Sequence, residues 1–274
     1  MIIISKNMNI GTCALCEEQN AELKASHLIP KLAYVRTKST KKSRFRAMND
    51  IKRPLQDGEK KYLLCNKCEE FFSVFETQFT NFFLDDFLKN KKLIKKQTKK
   101  LWFKNYMLSV VWRIIYDDLY NAGSFAGDTC RTIFVENEKK IRDYFYALMN
   151  NGVYELPRCW HCVYKIDDIV QDKNIIKLLE PTLFGYCYFD GEYQIPLVIS
   201  YYLGLVFVTV FDSGSVIYVD SITRTIKRKY YLSGIVKKIV SEEIKTEAIS
   251  MAAMYRDNMT PELFERIKKY YDRK

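Results

Sequence analysis

The sequence predicts an α+β protein, and three features of the chain carry that prediction. Two Cys-x-x-Cys pairs lie within the first seventy residues and enclose a short β-rich stretch. Phenylalanines between residues 71 and 87 recur at spacings of three and four, which is typical of a helix with one buried face. Between residues 153 and about 231, β-branched and aromatic segments alternate with turn sequences and favour antiparallel sheet. We therefore expect a cysteine-framed module over residues 1–90, and over residues 91–274 a helical segment, a mostly antiparallel sheet and C-terminal helices.

The elements of the first module follow from local signals. Cys13-Ala-Leu-Cys16 indicates a tight turn that offers two thiolates, and residues 21–29 are predicted to form a strand that Pro30 ends, since proline cannot donate to a β-ladder. Residues 36–61 are the most basic stretch of the chain, and we expect a solvated loop there that contacts a partner. From residue 62 the chain turns apolar and leads into the phenylalanine-rich helix, whose start carries the second cysteine pair.

Three further helices are expected. Residues 101–120 are apolar and long enough for a buried helix. An amphipathic helix is predicted from about residue 133 to 150, ended by Asn151-Gly152. Residues 235–256 are amphipathic as well, and Thr260-Pro261-Glu262 then offers an N-cap, a proline at the first helical position and an early acid.

One stretch of the predicted sheet, residues 195–211, can be interpreted in two ways. Residues 195–211 lack charge, so a membrane span is a possible interpretation. The stretch is short, is interrupted by a proline and a glycine, and is rich in β-branched and aromatic residues, which favours buried strands. Asp190-Gly191 before it indicates a hairpin, and a second turn is expected at 212–214 before a strand at 216–219.

The net charge of +11 is concentrated at one end of the chain. Residues 1–100 hold 21 Lys and Arg against 11 Asp and Glu, whereas residues 101–274 hold 23 against 22. Such an asymmetry favours a polyanionic partner, with nucleic acid, and DNA above all, as the first candidate. The alternative is a generally lysine-rich surface that serves solubility.

The cysteine content bears on the compartment. Eight cysteines occur without a secretory signal, because the opening Met-Ile-Ile-Ile-Ser is too short for one. We therefore expect reduced thiols in a cytoplasmic protein, with no membrane association. In that setting paired Cys-x-x-Cys motifs indicate a metal site before they indicate disulfides.

Cys13, Cys16, Cys65 and Cys68 are accordingly the predicted ligands of one Zn²⁺ ion, with 48 residues between the two pairs. Zinc held by four thiolates has no open coordination position, so it stabilises a fold and does no chemistry. The alternative is four unconnected buried cysteines.

The order of these motifs resembles the HNH endonuclease family. A Cys-x-x-Cys knuckle is followed by a strand with His27-x-x-Pro30, and then by Leu-Leu-Cys-x-x-Cys opening a helix, over about residues 10–80. The resemblance implies a zinc-bound treble-clef, or ββα-metal, module that hydrolyses nucleic-acid phosphodiesters. In it His27 would be the general base, Ser26 would stand at one metal-ligand position, and Glu69 at another, so that a catalytic Mg²⁺ or Mn²⁺ ion is implied. Bacterial proteins of this kind often serve in anti-phage defence.

Two alternatives stay open. Ser26 and Lys60 stand where the family usually has better metal ligands or an asparagine, which favours a catalytically inactive treble-clef module that binds nucleic acid or a protein. His27 would then only pack against the zinc knuckle. Residues 101–274 would serve specificity, sensing, a protein partner or self-association. In either case the basic residues of the first module are the predicted nucleic-acid contacts: Lys31, Arg36, Lys41, Lys42, Arg44, Arg46, Lys52 and Arg53.

The second histidine, His161, lies in Cys159-Trp160-His161-Cys162. In an extended strand the two cysteines point to opposite faces, so we expect core residues here. A second metal site is the alternative.

Overall fold

The computed structural model of the chain describes residues 9–38, 45–47, 50–122, 128–211, 222–262 and 265. These residues form an α+β fold with three antiparallel sheets, as the sequence predicts. The predicted turn at 212–214 and strand at 216–219 lie outside the described residues.

The amino-terminal part is built around a three-stranded sheet of order β1-β2-β5. Its strands are β1 (Ile10–Gly11), β2 (Ala21–His27) and β5 (Lys60–Cys65). Between β2 and β5 the chain forms a two-stranded ribbon of β3 (Phe45–Ala47) and β4 (Asp50–Leu55). The strand predicted over residues 21–29 ends earlier, at His27. Pro30 occupies the N-cap position of a helix that the sequence analysis missed, α1 (Lys31–Thr37). This helix was not expected, because proline can begin a helix as well as end a strand. In its described part, the predicted basic loop of residues 36–61 contains the end of α1, the ribbon of β3 and β4 and the start of β5.

The phenylalanine-rich helix forms as predicted, with an interruption. It comprises α2 (Asn66–Phe79), a π-helical turn (Thr80–Leu84) and α3 (Asp85–Asn90). The buried rings lie on one face, and Phe79 stacks on Tyr106 with ring centroids 3.8 Å apart. Phe82 was predicted to belong to this buried face, but it is 52% exposed. The π-helical turn adds a residue to the helical period there, so simple spacing does not assign Phe82 correctly.

The central helix of the fold is α4 (Leu101–Asp117), which is buried along nearly its whole length and confirms the predicted buried helix. The next helix is α5 (Asp128–Met149). It ends as predicted, because Asn151 adopts a left-handed φ of 57° and the Gly152 N–H donates to the Ala147 carbonyl at 2.7 Å.

The second half contains a four-stranded sheet of order β6-β9-β8-β7. Its strands and the helices around it are β6 (Cys159–Lys165), α6 (Ile166–Ile169), α7 (Lys173–Leu179), β7 (Phe184–Asp190), β8 (Ile195–Tyr202), β9 (Leu205–Phe211) and α8 (Ile222–Asn258). Residues 195–211 thus form two strands, as predicted, and among the described residues no helix is long and apolar enough to cross a membrane. The sheet was predicted to reach residue 231, but residues from Ile222 onward belong to α8.

The larger sheet separates two hydrophobic clusters. Alternate residues of β9 point to opposite faces, so Phe207 joins the cluster formed with α2, α4 and α5, whereas Val208 joins the one formed with α8. The first cluster extends from Cys13 to Phe211. It therefore includes residues on both sides of position 90, where the sequence predicts a division between two domains.

Candidate metal centre and candidate active site

The four predicted zinc ligands lie together. Cys13 and Cys16 are in the turn between β1 and β2, Cys65 ends β5, and Cys68 is in the first turn of α2. Their Sγ atoms all lie within 4.8 Å of one another, and all four side chains are free thiols. The site brings two distant parts of the chain together, because the Ala14 N–H donates to the Leu63 carbonyl of β5 at 3.0 Å.

The geometry and the donors fit a tetrahedral metal ion such as zinc. With zinc–sulfur bonds of about 2.3 Å, the sulfur atoms of a tetrahedral site are roughly 3.8 Å apart. Cys16 Sγ and Cys65 Sγ lie 3.7 Å apart. Four thiols would fill all four coordination positions of a tetrahedral ion and leave none open. Three of them are buried, and Cys16 is half-buried. Such a site would be structural.

Hydrogen bonds already favour a thiolate in this cluster. The hydrogen bond from the Cys68 side chain lowers the pKa of Cys13 to about 4, and bonds from neighbouring backbone N–H groups act in the same direction. Burial acts in the opposite direction. The same bond and burial raise the pKa of Cys68, and burial raises the pKa of Cys16 to about 11. The pKa values thus shift in opposite directions, as expected for one thiolate that is stabilised by neighbouring thiols. A bound cation would favour loss of the protons from those thiols as well.

The cysteine knuckle is tied to the central helices by a chain of polar side chains. Arg142 of α5 bonds Glu17, the residue after Cys16, and its Nε also lies 3.2 Å from Glu138. Glu138 in turn accepts a bond of 2.9 Å from Trp112 Nε1 of α4. These partners are more than 90 residues from the knuckle in sequence, and no local pattern indicates them.

His27 ends β2, where it lies opposite Lys60 of β5. Its Nε2 is 3.0 Å from the Asp57 carbonyl oxygen, which can only accept a hydrogen bond, so Nε2 carries the proton and donates. The neutral ring then has its lone pair on Nδ1. Burial, and next the charge of Lys60, lower the pKa of His27 to about 4. The imidazole is therefore neutral at neutral pH.

The turn that holds His27 has a required glycine. Gly58 adopts a φ of +89°, and a Cβ atom added there would lie 2.1 Å from the ring of Tyr34. That ring lies in turn 5.6 Å from the His27 ring, measured between centroids. On the other side, Lys60 Nζ pairs with the Asp57 carboxylate at 2.8 Å. The turn after β4 and helix α1 thus fix the imidazole from two directions, and the sequence analysis missed both Tyr34 and Asp57 as partners.

The surroundings of Ser26 differ from those of His27. Its side chain is 1% exposed, and its hydroxyl donates to the Lys24 carbonyl at 3.3 Å. Adjacent residues of a strand face opposite sides, so Ser26 points into the protein, away from the face that carries His27. Ser26 is therefore poorly placed for the metal-ligand position that the family resemblance implies.

Glu69 lies in the first turn of α2, next to Cys68. Its Oε1 atom is buried and has no hydrogen-bond partner. A buried carboxylate oxygen without a donor is costly, and a cation is one partner that would satisfy it. Within the described residues, however, the four cysteines are the only group of three or more His, Cys, Asp or Glu side chains placed to hold a metal. In the described part of the chain, a second ion would therefore find the Glu69 carboxylate rather than a complete set of ligands.

The predicted nucleic-acid contacts fall into three groups. Lys31 and Arg36 are exposed on α1, and Arg36 pairs with Asp85 of α3 at 2.8 Å. The backbones of Arg46, Lys52 and Arg53 lie on the ribbon of β3 and β4. The remaining three lie outside the described residues: Lys41, Lys42 and Arg44.

The segment around His161 forms core strand, as predicted. Cys159 packs against the first hydrophobic cluster and Cys162 against the second, on opposite faces of β6. His161 Nδ1 is 2.8 Å from Thr209 Oγ1 of β9, and burial lowers the pKa of His161 to about 3.

Comparisons of the chain with protein-family models, with characterised proteins and with solved structures find no match.

Proposed function

We propose that the chain is a metal-dependent endonuclease of the HNH type, with a structural zinc ion on the four cysteines. The observation that supports this most strongly is the state of His27. It is a neutral imidazole whose Nε2–H is held by a backbone carbonyl and whose Nδ1 can accept a proton. The order of knuckle, antiparallel β2–β5 pair and helix around the cysteine cluster also supports a treble-clef arrangement.

In the proposed reaction, His27 Nδ1 takes a proton from a water molecule as that water attacks the phosphorus of a phosphodiester. The Asp57 carbonyl keeps the ring oriented and stabilises the N–H that becomes part of the imidazolium. Lys60 and Lys31 place positive charge near the ring, where a phosphate would lie.

Glu69 would hold the catalytic Mg²⁺ or Mn²⁺ ion, which would stabilise charge on the departing oxygen. A single carboxylate fits such an ion, since Mg²⁺ is commonly bound by one or two carboxylates together with substrate phosphates and water. The unpartnered Oε1 atom of Glu69 supports this role.

The test is cleavage of plasmid DNA with Mg²⁺ or Mn²⁺ by the wild-type protein and by His27→Ala and Glu69→Gln. Loss of the base should slow cleavage by about 10²- to 10⁴-fold. The Glu69→Gln variant should need more metal for half-maximal rate, and both variants should retain DNA binding in buffer without added Mg²⁺ or Mn²⁺. An equally fast His27→Ala variant would exclude His27 as the base.

A binding module without catalysis is the second candidate. The burial of Ser26 favours it. The four cysteines being, among the described residues, the only group of three or more possible metal ligands favours it as well. In that case plasmid DNA would be bound tightly and remain intact with every divalent metal tested.

A further inference from the structure

A second surface, distant from the cysteine cluster in sequence, combines lysines with an exposed aromatic ring. Seven lysines occur between Lys89 and Lys100, and every one is exposed. No carboxylate within the described ranges lies within 4.0 Å of any of them, since none takes part in an ion pair. We call residues 89–100 the lysine segment. Within the described residues these lysines form no ion pair, and Lys91 Nζ alone among them lies over an aromatic ring, that of Phe87 at 5.8 Å.

The lysine segment is folded rather than a free linker. Lys91 ends α3 in a left-handed conformation and donates its N–H to the Phe87 carbonyl at 2.7 Å. A 3₁₀ turn (Gln97–Lys99) follows, and Leu93 packs against the first hydrophobic cluster. The backbone is thus fixed while the ammonium groups face solvent, so a partner would lose little conformational freedom of the main chain on binding.

Two aromatic side chains lie at the base of this segment. Phe82 precedes α3 and Trp102 follows the segment, yet their ring centroids are 5.7 Å apart. The chain therefore folds back on itself between the two rings, and the seven lysines lie in the segment that connects them. Phe82 is 52% exposed and the neighbouring Leu101 is 58% exposed, although both belong to an otherwise buried pair of helices.

We propose that the lysine segment, with Phe82 and Trp102, is a binding surface for single-stranded nucleic acid. Phe82 is exposed, and Trp102, which it contacts, is half-buried. An exposed ring next to a lysine segment suits a single strand, because unpaired bases stack on aromatic side chains while lysines neutralise phosphates. Paired bases in a duplex leave no face free for such stacking. An anionic membrane also attracts lysines, but it requires a broad apolar face, whereas here only three apolar side chains are involved.

The lysine segment is connected to the proposed active site through two helices. Lys31, whose charge acts on His27, starts α1, and Arg36 near the end of α1 pairs with Asp85 at the start of α3. Helix α3 then leads to Lys89. The binding itself does not depend on the proposed cleavage, and it is measured without added Mg²⁺ or Mn²⁺.

The test is the affinity of the full chain for fluorescent oligo(dT) of 20 nucleotides and for a 20-bp duplex, both in buffer without added Mg²⁺ or Mn²⁺ and without a chelator, so that zinc on the four cysteines is not removed. Phe82→Ala should weaken oligo(dT) binding about tenfold through loss of a stacked base and leave duplex binding within about twofold. Tyr146→Ala removes a similarly exposed ring on α5 and should change neither.

The charge contribution is tested with a matched pair of double variants. Lys92→Glu/Lys96→Glu should reduce the salt dependence of oligo(dT) binding by a slope of about 1.4, from two lost phosphate contacts. Lys173→Glu/Lys177→Glu changes the net charge equally on α7 and should leave the slope unchanged. The proposal is overturned if oligo(dT) binding is insensitive to both the Phe82 and the Lys92/Lys96 changes. It is also overturned if phosphatidylserine vesicles are bound in a Phe82-dependent way while oligo(dT) is not.

Discussion

At the scale of single residues, the site depends on how His27 is kept neutral and oriented. A histidine that ends a strand would ordinarily titrate near its usual pKa of 6.5, but burial and Lys60 lower its pKa to about 4. The Asp57 carbonyl fixes which nitrogen carries the proton. The ring is thereby available as a base throughout the physiological pH range.

The pH dependence of cleavage follows from this shift. Because His27 stays neutral until the pH approaches 4, the single-turnover rate should show no acid limb near pH 6.5 that belongs to this residue. Lys60→Met removes the lysine charge that, after burial, does most to lower the pKa of His27. The pKa of His27 should therefore rise, and the acid limb of the rate profile should move to higher pH. The measurement is an NMR titration of the His27 ring in both proteins, alongside the rate profile. A wild-type His27 that titrates near 6.5 would contradict the described burial.

Gly58 offers a test of the turn that holds the imidazole. Gly58→Ala forces a side chain onto a left-handed residue and against Tyr34, so unfolding free energy should fall by about 1–3 kcal/mol. Gly191→Ala is the control, since a Cβ atom there meets nothing within 4 Å. Urea unfolding measures both variants. Equal stability of the two would show that the turn does not pack against Tyr34.

At the scale of elements, the larger sheet carries a half-buried neutral histidine that makes the fold sensitive to acid. The folded-state pKa of His161 is lowered to about 3, whereas the unfolded chain has the ordinary value near 6.5. As the pH falls below 6.5, the unfolded state binds the proton first, so stability is present above that pH and is lost toward the folded-state pKa.

His161→Gln should remove part of this acid sensitivity. Between pH 7 and 4.5 the wild-type chain should lose up to about 3 kcal/mol of unfolding free energy more than the variant does. The variant keeps a polar group that can bond Thr209, which limits its own cost. Chemical denaturation at several pH values compares the two proteins, and parallel pH profiles would contradict the assignment.

The elements also show what the sequence could and could not predict. Helices α2, α4 and α5 and strands β8 and β9 were predictable, because each has a long periodic or continuous apolar pattern. Helix α1 is short, with only two buried residues, and its start at Pro30 is equally consistent with the end of a strand. The exposure of Phe82 depends on a π-helical turn, which leaves no distinct mark in residue spacing.

At the scale of the whole molecule, the four-cysteine cluster connects the knuckle, β5 and α2 before the chain enters its central helices. Its four members were predictable, since two Cys-x-x-Cys pairs carry a local signature. The partners that support them and His27 were not, because Arg142, Asp57 and Tyr34 meet these residues only through tertiary folding.

The purified chain should contain about one zinc ion, as measured by elemental analysis. Cys65→Ser should lose the metal and lower the melting temperature, since the site joins β5 to the knuckle. Cys130→Ser is the matched control, because Cys130 lies outside the cluster and should leave the zinc content unchanged. Loss of zinc from both variants alike would argue against the four-cysteine site.

The central claim is that His27 acts as the general base of a nuclease, and chemical rescue tests it most directly. The single-turnover rate of DNA cleavage is measured for His27→Gly at increasing imidazole concentration with Mg²⁺ and Mn²⁺. The account predicts a strongly reduced rate that rises with imidazole, in proportion to its neutral form, while the wild-type rate stays unchanged. A His27→Gly variant that cleaves as fast as the wild-type protein without imidazole would contradict the account.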